Sequence, residues 1–165
     1  MAVISVPERS RQTCVVQCVR LADLNPKPPR RPVIKVAAAL IVRNGEILIG
    51  QRKKADSHGL KWEFPGGKIE RGESTTDALA RELEEELGVQ ARIGPEVVRY
   101  SWAYPKRATI LLMFHKVTEF LGDPQALAFE RIAWERPERL PEYDFLEGDL
   151  DIVRRLAAGE FDLAA

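Results

Sequence analysis

The alternation of apolar and polar residues predicts two strands joined by a tight turn. Residues 33–42 are mostly apolar, and residues 46–51 form a second apolar run after Asn44-Gly45, a pair that favours a two-residue hairpin turn. Residues 53–62 are polar and predict a loop. The Phe64-Pro65-Gly66-Gly67 sequence predicts a segment outside any regular element, because proline and glycine interrupt helices and strands.

The middle of the chain predicts an amphipathic helix over residues 74–87, followed by Gly88 as its C-cap. The apolar residues at helical spacing are Ala78, Leu79, Leu83 and Leu87. The remaining predicted elements are strands at 96–104, 109–119 and 128–134 and a closing helix at 148–158. Because strands and helices do not alternate regularly, we predict an α+β fold, an α/β/α sandwich whose mixed sheet is flanked by helices.

A proline-rich stretch precedes the first predicted strand. Residues 25–32 contain four prolines, a composition typical of an extended linker. We therefore predict a flexible N-terminal extension over 1–32 and one domain over 33–165. Cys14 and Cys18 lie in the extension, and two cysteines alone do not complete a closed zinc site, so we predict reduced thiols.

Net charge and hydropathy argue against a nucleic-acid polymer and a membrane as partners. Lys plus Arg and Asp plus Glu each number 25, which gives a formal net charge of zero and removes the electrostatic argument for a nucleic-acid polymer. No apolar run approaches the roughly 20 residues that a membrane span requires, and the N-terminus lacks the pattern of a secretory signal. We expect a cytoplasmic protein, a monomer or homodimer, without membrane or nucleic-acid partners.

Three glutamates on the predicted helix are candidate metal ligands. Glu82, Glu85 and Glu86 occupy positions i, i+3 and i+4, which places their carboxylates in one sector beside the leucine stripe. Arg81 can pair with Glu85, but Glu82 and Glu86 have no basic residue three or four positions away. Two interpretations fit this spacing: a solvated acidic face, or a divalent cation shared by the carboxylates.

The chemistry of these ligands favours a particular kind of metal and partner. Carboxylate oxygens suit Mg²⁺ or Mn²⁺ and argue against zinc. Because Mg²⁺ commonly bridges protein carboxylates to phosphates, three glutamates in a neutral chain indicate a partner that carries phosphate. Gly66 and Gly67 allow the backbone to approach a ligand closely, although a purely structural turn also explains them.

The segment from Gly67 to Val89 resembles the signature of the Nudix family. That signature is G-x5-E-x7-R-E-U-x-E-E-x-G-U, where U is aliphatic, and all nine specified positions match. Residues 61–70 and Tyr104-Pro-Lys-Arg107 are also similar to the MutT-like branch of the family. The resemblance covers residues 33–156 and excludes the extension.

The resemblance implies a Nudix fold and a metal-dependent hydrolase of nucleoside diphosphates linked to another group. The implied metal ligands are Glu82, Glu85, Glu86 and the backbone carbonyl of Gly66. The implied catalytic residues are Glu82, Glu85, Arg81 and Glu73. Among them, Glu82 is a candidate base for the attacking water, Arg81 holds the carboxylates in position, and Glu73 braces the loop against the start of the helix.

The resemblance also implies residues that bind the substrate. Arg52 and Phe64 match positions that contact phosphate and base, and His58 lies in the loop between them, but a surface charge at Arg52 and a core position for Phe64 remain alternatives. Asp144 aligns with an asparagine of guanine-specific members. Because an ionised carboxylate only accepts hydrogen bonds, Asp144 would favour base edges that present donors, such as those of cytosine or guanine.

Other Nudix members take a further metal-binding carboxylate from the loop before a late strand. In this chain the corresponding position is Ala128, and Glu130 lies two residues beyond it. We therefore favour a surface charge at Glu130 over a metal contact.

The expected reaction is Mg²⁺-dependent hydrolysis of (deoxy)nucleoside triphosphates to nucleoside monophosphate and pyrophosphate, with oxidised nucleotides such as 8-oxo-dGTP as candidate substrates. Alternatives within the family are CTP-type nucleotides, ADP-ribose and dinucleoside polyphosphates, and Pro105, 17 residues after Gly88, leaves ADP-ribose open. A non-catalytic nucleotide-binding module is a remote alternative, because this chain retains every glutamate of the signature.

Overall fold

The computed structural model describes residues 32–104 and 108–162. The predicted extension, apart from Pro32, lies outside this part of the chain, as do both cysteines and Pro105. The strands are β1 (Val33–Leu40), β2 (Val42–Arg43), β3 (Glu46–Arg52), β4 (Trp62–Glu63), β5 (Gly66–Lys68), β6 (Gln90–Ala103), β7 (Thr109–Leu121) and β8 (Phe129–Glu135). The helices are α1 (Thr75–Leu87) and α2 (Leu150–Ala157), with short 3₁₀ segments at Pro137–Glu142 and Glu147–Asp149.

The strands form two sheets. The first has the order β5-β1-β7-β6, in which β1 and β7 run parallel and the other pairs are antiparallel. In the second, β3 pairs antiparallel with β2, β4 and β8. The predicted mixed sheet is therefore confirmed, and Asn44 and Gly45, with φ of 53° and 79°, form the expected turn between β2 and β3.

Strand β1 contributes to two hydrophobic cores, because successive side chains of a strand point to opposite faces. Ala37 and Ala39 pack in the core that contains the leucines of α1. Ala38 and Leu40 pack in the core that contains the apolar face of α2. The two helices thus cover different faces of the sheets, which confirms the α/β/α sandwich.

Local sequence determines where α1 begins and ends. The Ser74 hydroxyl accepts a hydrogen bond from the Asp77 N–H at 3.1 Å, and Gly88 ends the helix with φ of 71° and donates to the Glu84 carbonyl. The buried residues are those predicted: Ala78, Leu79, Leu83 and Leu87. No helix in the described ranges is long and apolar enough to cross a membrane.

The prediction that no regular element includes Gly66 and Gly67 was wrong. Gly66–Lys68 forms the short strand β5, which pairs with Val36, Ala37 and Ala38 of β1. Glycine and proline disfavour strands locally, but here pairing with a buried strand that is distant in sequence overrides the local preference. The other predicted elements are observed, although β6 begins at Gln90, earlier than residue 96.

We predict that Leu83→Ala lowers the free energy of unfolding by about 2–5 kcal/mol, because it leaves a cavity where α1 meets the sheet. The control Leu121→Ala removes a side chain that is 73% exposed and should change stability by no more than about 0.5 kcal/mol. Urea denaturation of both variants tests this, and equal losses would contradict the assignment of the core.

Candidate active site

The backbone of Gly66 and Gly67 lies directly against two carboxylates of α1. The Gly66 N–H donates to Glu86 Oε2 at 2.9 Å. A Cβ atom on Gly67 would lie 2.3 Å from Glu82 Cδ, so a side chain there would displace the Glu82 carboxylate. Gly66 has φ of 142° and would place a Cβ 2.2 Å from the Ala37 carbonyl oxygen. Position 66 therefore requires glycine, and glycine at position 67 leaves the Glu82 carboxylate in place.

Arg81 lies against three of the carboxylates of the signature. Its Nε and Nη2 donate to the two carboxylate oxygens of Glu73 at 2.9 and 3.1 Å, and its Nη1 donates to Glu82 Oε1 at 2.9 Å. The same Nη1 lies 3.6 Å from Glu85 Oε2. Hydrogen bonds from Arg81 lower the pKa of Glu73, so this carboxylate stays ionised. These contacts are those expected of residues that orient Glu82 and connect the loop before α1 to the helix.

The three candidate metal ligands occupy different environments. Burial, together with the charges of Glu63 and Glu82, raises the pKa of Glu86 to about 8, against the opposing hydrogen bond from Gly66. The Glu82 side chain is largely buried between Gly67 and Arg81. The Glu85 side chain, by contrast, is 61% exposed.

The site has the donor chemistry of a hard divalent cation. Within residues 32–104 and 108–162, no three acidic, histidine or cysteine side chains form a ready-made metal arrangement. However, the candidate ligands are all oxygens, and the glycine pair brings the backbone next to two carboxylates. Burial is the main cause of the raised pKa of Glu86, and a bound cation would favour the ionised form of this carboxylate.

A cavity of about 510 Å³ adjoins the glycine pair. Gly66, Gly67 and Lys68 of β5 contribute one part of its wall, next to the carboxylates of α1. Trp102 of β6 and Asp149, the residue just before α2, contribute another part. This volume lies within the range of pockets that bind small molecules.

Arg52 and His58 line this cavity, as the resemblance implied. Arg52 Nη1 donates to both carboxylate oxygens of Glu63, at 2.8 and 2.9 Å, and its Nε donates to the Ser57 carbonyl oxygen. Burial raises the pKa of Glu63, but the charge of Arg52 opposes this effect. The centroid of the His58 ring lies 6.0 Å from the centroid of the Tyr104 ring.

Phe64 belongs both to the core and to the wall of the cavity. Its side chain is buried, stacks on Phe145 at 5.3 Å between ring centroids and contacts Phe114 edge-on at 5.8 Å. It also lines the cavity. The two alternatives for this residue are therefore not exclusive.

The structure does not bring Asp144 to the cavity. Its side chain is 76% exposed and pairs with Lys61 Nζ at 2.7 Å. Its backbone has a different role, because the Asp144 carbonyl accepts a hydrogen bond from the Trp62 N–H at 2.9 Å. The Leu146 N–H then donates to the Trp62 carbonyl, so this segment runs parallel to β4 and leads to Asp149.

Like Glu63, Asp149 is a cavity acid that sequence reasoning missed. It is 6% exposed, lines the cavity and accepts a hydrogen bond from the Phe64 N–H. Burial raises its pKa to about 8, and the nearby charge of Glu63 adds to this effect. An aspartate before a helix is typical of an N-cap, which hides such a residue in the sequence, yet this side chain makes no capping hydrogen bond.

Ala128, at the position where other members carry a metal-binding carboxylate, lies beside the C-terminal end of α1. The Ala128 N–H reaches the Glu86 backbone carbonyl at 3.3 Å. Glu130 is an exposed residue of β8. Its contact with metal stays untested, and its exposure agrees with a surface charge.

We predict that Asp149→Asn raises the free energy of unfolding relative to the wild type, by an amount that grows as pH rises from about 4 to 8. In this range the native wild type retains a proton that the unfolded chain has lost, so its free energy of unfolding falls with pH, by up to about 1.4 kcal/mol per unit. The asparagine side chain does not titrate, so the free energy of unfolding of the variant does not fall with pH for this reason. Urea denaturation between pH 5 and 9 measures the difference, with Asp144→Asn as the exposed control. A difference that does not vary with pH would contradict the raised pKa.

Comparison with known proteins agrees with this geometry. The family model described as the NUDIX domain matches residues 33–156. The CTP pyrophosphohydrolase of Escherichia coli is 39% identical, covering 76% of this chain and 93% of that protein. The 8-oxo-dGTP diphosphatase of Haemophilus influenzae is 34% identical over the same shares.

Solved structures show the same similarity. The E. coli ORF135 protein superimposes with a TM-score of 0.70 at 35% identity, covering 79% of this chain and 92% of that one. A structure from a study of MutT from Aliivibrio salmonicida and Vibrio cholerae gives a TM-score of 0.61 at 30% identity, covering 77% and 98%. Signature, fold and relatives thus agree, and the chain belongs to the Nudix hydrolase family, as one of its enzymes.

Proposed function

We propose that this Nudix hydrolase, with Mg²⁺ bound, hydrolyses (deoxy)nucleoside triphosphates to nucleoside monophosphate and pyrophosphate. The observation that carries the proposal is the position of the Glu82 and Glu86 carboxylates, against a glycine backbone at the wall of a cavity of about 510 Å³. Candidate cation-binding oxygens therefore adjoin a space large enough for a nucleotide. The names of the relatives in E. coli and H. influenzae support the same class of substrate.

The candidate metal ligands are Glu82, Glu85, Glu86 and the Gly66 carbonyl. Family members use divalent cations, and these oxygen donors favour Mg²⁺, with Mn²⁺ as a substitute. A bound cation neutralises polyphosphate charge and makes water more acidic. Glu85, which is exposed, has the freedom to turn toward a ligand when one binds.

The protein's own groups orient the attacking water. Glu82 is the proposed base, and the hydrogen bond from Arg81 to its Oε1 determines the orientation in which the carboxylate accepts a proton. Glu73 in turn fixes Arg81 through two hydrogen bonds. Arg52 and His58, on the cavity wall, are the proposed contacts to phosphate and base.

Asp149 is the proposed reader of the nucleobase, in place of Asp144. Because its pKa is about 8, the carboxyl group carries its proton at neutral pH and both donates and accepts hydrogen bonds. This pair of functions matches the O6 and N1–H of a guanine edge, including that of 8-oxoguanine. Phe64, which forms part of the same wall, supplies an apolar surface for the base.

CTP is a second candidate substrate with support of its own. The protonated Asp149 also matches cytosine, whose N3 accepts and whose amino group donates. The relative named for CTP is 39% identical, against 34% for the H. influenzae protein named for 8-oxo-dGTP.

We further propose that the enzyme acts on free nucleotides in the cytoplasm, as a monomer or homodimer.

We predict that Glu85→Gln and Glu86→Gln each reduce Mg²⁺-dependent pyrophosphate release by a factor on the order of 100. Each change removes a charge that helps to hold the cation while keeping the size of the side chain. Glu84→Gln is the matched control, because Glu84 is exposed on the same helix, at the unspecified position of the signature. Unchanged release in both test variants, or an equal loss in the control, would contradict the metal assignment.

We predict that Asp149→Ala changes the ranking of nucleotide substrates, whereas Asp144→Ala does not. Only Asp149 lies on the cavity wall, where loss of its carboxyl group removes hydrogen bonds to the base. The measurement is kcat/KM for CTP, dGTP, 8-oxo-dGTP and ATP with each variant. If the ranking changes with Asp144→Ala alone, the assignment of the base reader is wrong.

A further inference from the structure

A second cavity, of about 660 Å³, lies between strand β6 and helix α2. Tyr100 and Trp102 of β6 line it on one side, and Leu150, Val153 and Arg154 of α2 line it on the other. None of the glutamates of the signature borders this space. The proposed reaction leaves it without a role.

Trp102 is the single residue, within the ranges the structure describes, that lines both the second cavity and the nucleotide cavity. The other residues around the two spaces differ. Trp102, on the terminal strand of the first sheet, therefore forms a partition between them.

The partition lies next to the proposed base reader. A Cβ atom on Gly148 would be 3.8 Å from Trp102 Cγ and Cδ1, so the ring packs on the backbone immediately before Asp149. The glycine pair that adjoins the carboxylates belongs to β5, whereas Trp102 belongs to β6, and β1 and β7 lie between these two strands. Trp102 thus bounds the nucleotide cavity where the base is read, away from the proposed metal ligands.

Packing holds the ring in place. The indole Nε1 is buried without a hydrogen-bond partner among the described residues. The ring contacts Tyr104 edge-on, at 6.3 Å between centroids. An unsatisfied buried donor costs free energy and requires an explanation, which a role for the bulk of the ring provides.

We propose that Trp102 determines the size of the nucleobase that the enzyme accepts. This inference rests on the proposed nucleotide hydrolysis. The ring closes the nucleotide cavity beside Asp149 and so excludes bases that carry a bulky exocyclic substituent. Without the ring, the two cavities join, and the substituent enters the space between β6 and α2.

The test compares unmodified CTP and dGTP with N4-benzyl-CTP and N2-benzyl-dGTP. The measured quantity is the ratio of kcat/KM for each benzylated nucleotide to that of its parent. In Trp102→Ala, we expect the ratio to rise at least about tenfold for the nucleotide of the preferred base. In Trp102→Phe, which keeps an aromatic ring, the ratio should stay close to the wild-type value.

Leu150→Ala is the matched control, because it enlarges the second cavity and leaves the partition intact. It should not change the ratio. An unchanged ratio in a folded and active Trp102→Ala variant, or an equal rise in Leu150→Ala, would overturn the proposal. If Trp102→Ala does not fold, as judged by thermal denaturation, Trp102→Leu replaces it with the same expected result and the same contradicting one.

This design separates the inference from the proposed function. Failure of the wild type to hydrolyse any nucleoside triphosphate would refute the proposed function. Hydrolysis of the parent nucleotides, combined with an unchanged ratio, would refute only the role of Trp102.

Discussion

The close contact between a glycine backbone and two buried carboxylates is the constraint on which the rest of the site depends. Gly66 and Gly67 allow β5 to lie against α1, where Glu82 and Glu86 are largely removed from water. Removing carboxylates from water is unfavourable unless hydrogen bonds or opposite charges compensate. Arg81 compensates for Glu82, but one backbone N–H leaves Glu86 with a raised pKa. A bound cation would therefore compensate for the negative charge of Glu86.

The environment, more than the residue type, determines which acids of the molecule carry charge. Glu73 has two hydrogen bonds from Arg81 and a lowered pKa. Asp149, with one backbone donor in a buried position, has a pKa near 8. The first acid serves as a fixed negative charge, and the second serves as a hydrogen-bonding group that both donates and accepts. Asp149 lines the cavity, whereas Glu73 lies in the loop before α1, where it holds Arg81.

The parts of the molecule that depend on local interactions could be predicted from the sequence. Helix α1 follows from its leucine spacing and from Ser74 and Gly88, because helix hydrogen bonds and caps connect near neighbours. Strand β5 could not be predicted, because its pairing with β1 joins distant segments and overrides the preferences of Gly66 and Gly67. Asp149 was missed for a similar reason: its burial depends on how the segment before α2 pairs with Trp62. Alignment alone pointed to Asp144, five positions earlier in the chain.

The pairing of Trp62 with the segment before α2 fixes the separation of two parts of the proposed site. Asp149 accepts a hydrogen bond from the Phe64 N–H, and Gly66 follows Phe64 by two residues, so a few peptide units set the spacing between the proposed base contact and the proposed metal ligands. A substitution at Asp149 would therefore change the contact with the base and leave the metal ligands in place. Inserting one residue between Phe64 and Gly66 would instead displace both parts at once.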